Sequence, residues 1–184
     1  MTAALDRVRA TYDAMAARVA QALTGPPADP EATAEAAPLL AREARLLDAR
    51  AFSDWLALYA GEAYLWLPVH PGDHPARDQA LIFDDRRRLA ERAAHFGDRQ
   101  AWAITAPEPL TTRHLGPVEA WPWQGEILAT AALTIRQVRR REPVTLVGRE
   151  VLSLARGPAG LAVTSKTLLL PDLALGTPHL GWII

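Results

Sequence analysis

The chain has 184 residues, of which 49% are hydrophobic and 22% are charged, and its formal net charge is −1. This composition is typical of a globular domain, and the near-neutral charge provides no basic field for nucleic acid or an anionic membrane. The sequence contains no cysteine, which excludes disulfides, thiol nucleophiles and cysteine-ligated metal centres. It also lacks an apolar run of membrane-spanning length and the pattern of a signal peptide. We therefore expect a soluble, cytoplasmic protein.

The first predicted element is an amphipathic helix that ends near Leu23. Its apolar stripe is formed by Leu5, Val8, Tyr12, Met15 and Val19. Two interpretations stay open: the helix packs on its own domain, or it is an arm that covers a neighbouring subunit. The segment from Thr24 to Ala37 is rich in proline, alanine and glutamate and predicts a surface linker. We therefore assign residues 1–37 to this helix and linker, and residues 38–184 to a single domain that opens with a helix at Pro38.

The stretch from Leu39 to Val69 predicts two short helices that lead into a buried strand. The first helix has an apolar face formed by Leu40, Ala44, Leu47 and Ala51. The second has an apolar face formed by Phe52, Trp55, Leu56 and Tyr59. Ser53 is predicted to cap this second helix and Gly61 to end it. The apolar run Tyr64–Leu67 then predicts a strand that stops at Pro68.

The loop after Val69 contains His70 and His74, whose spacing would align two metal ligands if the loop were helical. The prolines and glycine between and beside them argue against a helix, so we expect two surface histidines rather than a metal pair.

A short strand is predicted at Ala80–Phe83, and Asp84 is the expected cap of the next helix. The buried stripe of this helix is predicted to contain Leu89, Ala93 and Phe96. Three arginines, Arg86, Arg87 and Arg88, occupy its first turn. They form either a solvated face or a salt-bridged subunit contact.

The C-terminal third predicts an antiparallel meander of long strands, at Ile127–Ile135, Val144–Leu154 and Leu161–Leu170. Alternation in the last strand predicts that one face is formed by Leu161, Val163, Ser165, Thr167 and Leu169.

Several of these segments resemble the small, beta subunit of bacterial aromatic-ring-hydroxylating dioxygenases. The N-terminal part of the resemblance consists of Glu43, Leu46–Asp48, Phe52, Trp55–Leu56, Leu58 and Trp66–Pro68. The later part consists of Asp84–Arg86, Leu89, Arg92, Arg113–Leu115, Gly148–Arg149, Lys166 and Asp172. The resemblance covers roughly Leu39 to Ile184. The chain departs from the family pattern at Glu62, which replaces an aspartate, and at His95, which replaces an arginine. It also lacks the asparagine that commonly follows the Arg-His pair.

The resemblance implies an α+β fold, in which a cone-shaped, curved and mainly antiparallel sheet wraps around N-terminal helices, as in nuclear transport factor 2-like (cystatin-like) proteins. It also implies a non-catalytic structural subunit of an oxidoreductase of aromatic hydrocarbon catabolism. The alpha subunit would then carry the Rieske iron–sulfur centre and the mononuclear iron, in an assembly of three alpha and three beta subunits around a homotrimer core. This chain would bind no metal or cofactor, because a Rieske centre needs two cysteines. The interface candidates are Arg86, Arg87, Arg88, Arg92, Arg113 and His114.

An enzyme in its own right is the alternative. Some proteins with the cone fold are isomerases or dehydratases that transfer protons in the pocket between sheet and helices, which requires a general base near an oxyanion donor. The candidates for this chemistry are Tyr59, Tyr64, Asp48, Glu62 and His114. Each also has a structural interpretation, since the tyrosines suit a packed core and Asp48 suits a helix end. The sequence leaves open whether the chain is an enzyme by itself.

Overall fold

The computed structural model describes residues 2–97, 109–139 and 142–175. The helices in these ranges are α1 (Thr2–Thr24), α2 (Pro30–Asp48), α3 (Phe52–Leu56) and α4 (Arg86–Gly97). The strands are β1 (Tyr59–Pro68), β2 (Ala80–Asp85), β3 (Leu110–Leu115), β4 (Glu119–Trp123), β5 (Glu126–Arg139), β6 (Glu142–Gly157) and β7 (Gly160–Leu169). A single 3-10 turn, Pro171–Leu175, follows β7.

All seven strands belong to one curved, open sheet with the order β2-β1-β7-β6-β5-β3, and β4 also pairs with β5. Every pair is antiparallel except the parallel pair of β1 and β7. The helices α2, α3 and α4 pack against the inner face of this sheet. The predicted α+β cone fold is therefore confirmed, and so is the antiparallel meander of β5, β6 and β7.

The outer face of the sheet is covered in part by α1. Met15 and Val19 are buried there against a small cluster that includes Trp66, Trp121 and Val151. This half of α1 packs on its own domain, as the first of the two interpretations expects. Nearer the N-terminus the helix extends past this cluster, and Leu5 is 57% exposed.

Helix α2 begins at Pro30 and not at Pro38, so the predicted linker is wrong over residues 30–37. The Asp29 side chain caps the helix by accepting a hydrogen bond of 2.8 Å from the Ala32 backbone N–H. Pro38 lies inside the helix, where a proline removes one backbone hydrogen bond. The helix continues through it because its buried face is continuous, formed by Ala32, Ala36, Leu40, Glu43, Ala44 and Leu47.

The second predicted helix is only five residues long, because the chain enters the sheet earlier than expected. Tyr59 is the first residue of β1, and Gly61 lies within that strand rather than ending a helix. The carbonyl of Leu58 accepts a 2.8 Å hydrogen bond from the Val163 backbone N–H of β7. Ser53 is not the cap, since Ala51 holds that position without a side-chain hydrogen bond.

Helix α4 has the predicted buried stripe, with Leu89, Ala93 and Phe96 facing the core. Its cap is Asp85 rather than Asp84, because the Asp85 carboxylate accepts a 2.8 Å hydrogen bond from the Arg88 backbone N–H. Asp84 is buried and accepts hydrogen bonds from the guanidinium of Arg92.

A β-bulge in β7 changes which side chains face the interior. Ser165 is paired with Ser153 and Val163 with Leu154, so Thr164 is an additional residue opposite β6. Val163 and Leu168 face the inner cluster, whereas Leu169 belongs to the outer one. The prediction that alternate residues from Leu161 to Leu169 share one face of the sheet is therefore wrong, because it assumed a regular strand without a bulge.

Candidate functional site

The interior of the cone holds a cluster of polar side chains contributed by five elements. They are Glu43 from α2, Trp55 from α3, Tyr59 from β1, Glu150 from β6 and Lys166 from β7. Lys166 reaches this position because the bulge at Thr164 places it on the inner face of the strand. We call these five residues the core polar cluster.

Glu43 is the main hydrogen-bond acceptor of the core polar cluster. Its Oε1 accepts from Trp55 Nε1 at 2.9 Å, from Tyr59 Oη at 3.0 Å and from Lys166 Nζ at 2.8 Å. Its Oε2 accepts from Lys166 Nζ at 2.7 Å. The residue is 1% exposed, and a buried carboxylate requires such partners to stay ionised.

The ammonium of Lys166 links the two carboxyl groups. Nζ lies 2.7 Å from Oε2 of Glu43 and 3.0 Å from Oε2 of Glu150, and all three side chains are almost completely buried. The other carboxyl oxygen of Glu150, Oε1, has no hydrogen-bond partner in the part of the chain that the structure describes. The two acids are therefore unequal, since one is fully paired and the other is only half paired.

These contacts shift the pKa values of the cluster in different directions. Burial is the largest influence on Glu43 and raises its pKa, but the charge of Lys166 and the hydrogen bonds from Lys166 and Trp55 lower it overall. Burial also dominates at Glu150 and, together with the charge of Glu43, keeps its pKa raised despite the Lys166 charge. Burial lowers the pKa of Lys166, but the charges of both carboxylates outweigh it and the net shift is upward. Burial and then the Glu43 charge raise the pKa of Tyr59 well above its usual range.

The arrangement suits an internal support better than acid–base catalysis. A general base needs a pKa near the working pH, whereas that of Glu43 is lowered. The pKa of Glu150 is raised, but this side chain is buried against Lys166. The Tyr59 hydroxyl donates to Glu43, and the side chain is buried. A cavity lined by Leu47, Phe52, Phe96 and Arg113 among others measures about 10 Å³, which is about one water molecule.

A second ion pair lies beside the core polar cluster. Arg113 of β3 is buried, and its Nη1 lies 2.6 Å from Oδ1 of Asp48 at the end of α2. The Asp48 carboxylate also accepts a 2.8 Å hydrogen bond from the Arg113 backbone N–H. The charge of Arg113 contributes to lowering the pKa of both Glu43 and Glu150, so the pair is electrostatically linked to the cluster.

The structure does not bring the five alternative catalytic residues together. Tyr59 is in the core polar cluster and Asp48 is in the adjoining ion pair. Tyr64 and Glu62 instead line a cleft of about 560 Å³ beside α1, on the outer face of the sheet. His114 is exposed on β3. Three of the five therefore lie away from the interior of the cone.

The predicted interface residues fall into exposed and internal groups. Arg87 and Arg88 are exposed and form ion pairs with Glu91 and Asp84 of the same chain. Arg86 donates to the Leu56 carbonyl at 3.2 Å. Arg92 is largely held by Asp84, and Arg113 is buried, so within this chain they act as internal supports.

The His70–His74 segment is a loop, as predicted. His74 Nε2 lies 3.1 Å from the Asp13 carboxylate of α1, so this histidine helps to hold the loop against the first helix. Within the described ranges, no group of three His, Asp or Glu side chains is arranged to hold a metal ion. No described helix is both long and apolar enough to cross a bilayer.

A family model described as the ring hydroxylating beta subunit matches residues 42–175. The chain belongs to this family. The matched range contains α3, α4 and all seven strands, together with the end of α2 that carries Glu43. The complete core polar cluster therefore lies within the part of the chain that defines the family.

A curated relative of this beta-subunit chain is the small subunit of 2-halobenzoate 1,2-dioxygenase from Burkholderia cepacia. The two are 38% identical over 84 residues, which is 42% of this chain and 50% of that protein. The match thus spans about half the length of the curated relative.

Solved structures of similar proteins share the fold. The beta subunit of benzoate 1,2-dioxygenase from Burkholderia mallei has a TM-score of 0.66 and 22% identity, covering 82% of this chain and 96% of that one. Naphthalene 1,2-dioxygenase with indole bound in its active site has a TM-score of 0.73 and 20% identity, covering 85% and 87%. A nuclear transport factor 2-like protein with a cystatin-like fold from Novosphingobium aromaticivorans has a TM-score of 0.57 and 17% identity, covering 80% and 84%. At these identities, the likeness shows the fold alone.

Sequence reasoning missed Glu150 and did not recognise that Glu43 and Lys166 form a pair. A signal was present for Glu43, which lies on the apolar face of α2 and so predicts a buried partner of opposite charge, since an unpaired buried charge is very costly. Lys166 gave no such signal, because its neighbours Ser165 and Thr167 are polar and only the bulge at Thr164 places it on the inner face.

Proposed function

We propose that this beta-subunit chain is the non-catalytic, structural subunit of an aromatic-ring-hydroxylating dioxygenase of aromatic hydrocarbon catabolism. The observation that supports this most directly is the core polar cluster, in which the potential acid–base groups of the cone bond to one another. Family membership and the dioxygenase relatives support the same assignment. A standalone isomerase or dehydratase is not favoured, because Tyr59 and Glu43 are used in packing.

The proposed partner is an alpha subunit that carries the Rieske iron–sulfur centre and the mononuclear iron. This chain lacks the cysteines that a Rieske centre needs, and its described residues offer no three-residue site for a mononuclear iron. We propose that three copies form a homotrimer core in an assembly of three alpha and three beta subunits, in the cytoplasm. The exposed Arg87, Arg88 and His114 are the favoured contact residues. In this proposal residues 38–184 are the single family domain, and residues 1–37 are the N-terminal segment that packs against it.

Changing Tyr59 to Phe tests the assignment of function. In a reconstituted dioxygenase complex, we expect this variant to retain turnover close to that of the wild type, because the hydroxyl bonds only to Glu43 among the described residues. An isomerase or dehydratase that used Tyr59 as an oxyanion donor would lose roughly 10²–10³ in turnover. The measurement is steady-state turnover, with size-exclusion chromatography to show that the complex has assembled. A well-folded, fully assembled variant without activity would overturn the structural assignment.

The isolated chain is expected to sediment as a trimer at micromolar concentration. Obligate assemblies bury more than about 2,000 Å² per interface, and contacts of this size persist without the alpha subunit. Sedimentation equilibrium measures the mass directly, and a species of only 20.0 kDa, the mass of one chain, would contradict the proposal. Changing Arg88 to Ala should weaken the trimer, whereas changing Arg156, which is paired with Glu35 away from the proposed contact residues, should not.

A further inference from the structure

The charges inside the cone do not balance if every group is ionised. Glu43, Glu150 and Lys166 are each about 1% exposed, so two carboxylates share one ammonium. The neighbouring pair of Arg113 and Asp48 is balanced within itself. Among the described residues, one negative charge of this buried group therefore remains without a matching cation, and this is strongly unfavourable.

The hydrogen bonds show which of the two acids lacks donors to its carboxyl oxygens. Four hydrogen bonds end on Glu43, and both of its oxygens are used. Glu150 has the Lys166 ammonium 3.0 Å from Oε2, and its Oε1 has no donor among the described residues. The missing hydrogen bond at Oε1 disfavours the ionised form of Glu150, because hydrogen bonds and nearby cations are what favour a charged carboxylate.

We propose that Glu150 keeps a proton in the folded chain at neutral pH and releases it on unfolding, which makes the stability of the fold dependent on pH. The groups that surround Glu150 come from every element packed against it. They are Glu43 of α2, Tyr59 of β1, Arg113 of β3 and Lys166 of β7, while β5 places the uncharged Ala131 opposite it. Asp48 of α2 enters only as the partner of Arg113. The raised pKa of Glu150, caused by burial and by the Glu43 charge, agrees with this geometry. The inference does not depend on the proposed function.

The direction of the effect follows from proton linkage. Glu150 has a folded pKa above its ordinary value of 4.5, so its contribution to stability is fully present below that value. This contribution is lost as the pH rises from the ordinary pKa to the folded pKa, because over that range the native state binds one proton more than the unfolded chain. Within that window, the unfolding equilibrium constant increases by about tenfold per pH unit.

The test compares chemical denaturation of the full wild-type chain and Glu150→Gln between about pH 5 and about pH 9. Glutamine resembles the protonated acid, so the variant should lack the Glu150 part of the pH dependence. The unfolding equilibrium constant of the wild type, divided by that of Glu150→Gln, should therefore increase with pH, by up to about tenfold per pH unit. Glu62→Gln is the matched control, since Glu62 is exposed on β1, and its profile should run parallel to that of the wild type. Parallel profiles for wild type and Glu150→Gln would overturn the proposal.

Infrared spectroscopy of the wild type provides a second measurement that needs no variant. The native chain at neutral pH should show the carbonyl stretch of one protonated carboxylic acid, and this band should disappear on unfolding. If Glu150→Gln does not fold, the infrared result decides alone. A native spectrum without the band would refute the proposal.

Discussion

Changing Lys166 to Met should destabilise the protein by about 3–5 kcal/mol, because it leaves two buried carboxyl groups without their cation. Lys166 is the only cation in hydrogen-bond contact with both Glu43 and Glu150 among the described residues. Typical domains are stable by about 5–15 kcal/mol, so this loss is a large part of the total. Urea denaturation followed by fluorescence measures the change.

The Lys166→Met variant should also respond to pH in a defined direction. Removing the ammonium raises the folded pKa values of both carboxyl groups, since its charge favours their ionised forms. The native state then binds more protons than the unfolded chain, so stability decreases as the pH rises. The deficit relative to the wild type should therefore be smallest in mild acid and larger at alkaline pH.

Two further variants serve as controls for this experiment. Arg156→Met removes an exposed cation paired with Glu35 and should change stability little, because water screens such pairs. Combining Lys166→Met with Glu43→Gln and Glu150→Gln removes all three ionisable groups together and should recover part of the loss. If Lys166→Met costs no more than Arg156→Met, the cluster is not sealed from solvent as described.

Changing Trp55 to Ala should cost about 3–5 kcal/mol, since it removes a large, fully buried aromatic side chain and leaves a cavity. The ring also packs edge-on against Tyr59, with the ring centroids 4.9 Å apart. In addition, Glu43 loses the hydrogen bond from the indole N–H. Equilibrium denaturation measures the total effect, and a cost below about 1 kcal/mol would contradict tight packing at this position.

A matched pair of phenylalanine variants separates the hydrogen bond from the packing. Trp55 and Trp66 are both fully buried, but Trp66 Nε1 has no hydrogen-bond partner in the described ranges, whereas Trp55 Nε1 donates to Glu43. Trp55→Phe should therefore cost more than Trp66→Phe, by about 1.5–3 kcal/mol, the usual contribution of a hydrogen bond to a charged group. Equal costs would show that the bond to Glu43 contributes nothing to stability.

Much of the fold could be predicted because apolar periodicity is a local signal. The stripe of α4 and the long strands of the C-terminal third are found where the pattern predicts them. The errors occur where a distant contact outweighs a local preference. A proline is normally found at the start of a helix, but the buried face of α2 continues through Pro38. Tyr59 fits a helical repeat, but the hydrogen bond between Leu58 and Val163 of β7 places this part of the chain in the sheet.

The core polar cluster was harder to predict because its members are distant in sequence. Glu43 and Lys166 are 123 positions apart, and no local pattern joins them. Tyr59 was selected as a candidate catalytic residue from its type, and only its distance to Glu43 shows that its hydroxyl supports a carboxylate. The resemblance included Glu43 and Lys166 as separate matches, and the fold supplies the reason why both are needed.

The bulge at Thr164 is also a point at which β7 could lose one residue without a change of register. Insertion or deletion of one residue within a regular strand moves every later side chain to the opposite face of the sheet, so that buried residues become exposed. At a bulge, the additional residue can be removed while the pairs on both sides stay in register, here Val163 with Leu154 and Ser165 with Ser153. Relatives that are one residue shorter at this point can therefore keep an internal lysine in the equivalent place. Loss of Thr164 would leave Lys166 on the inner face, whereas insertion of one residue between Ser165 and Lys166 would move the lysine to the outer face.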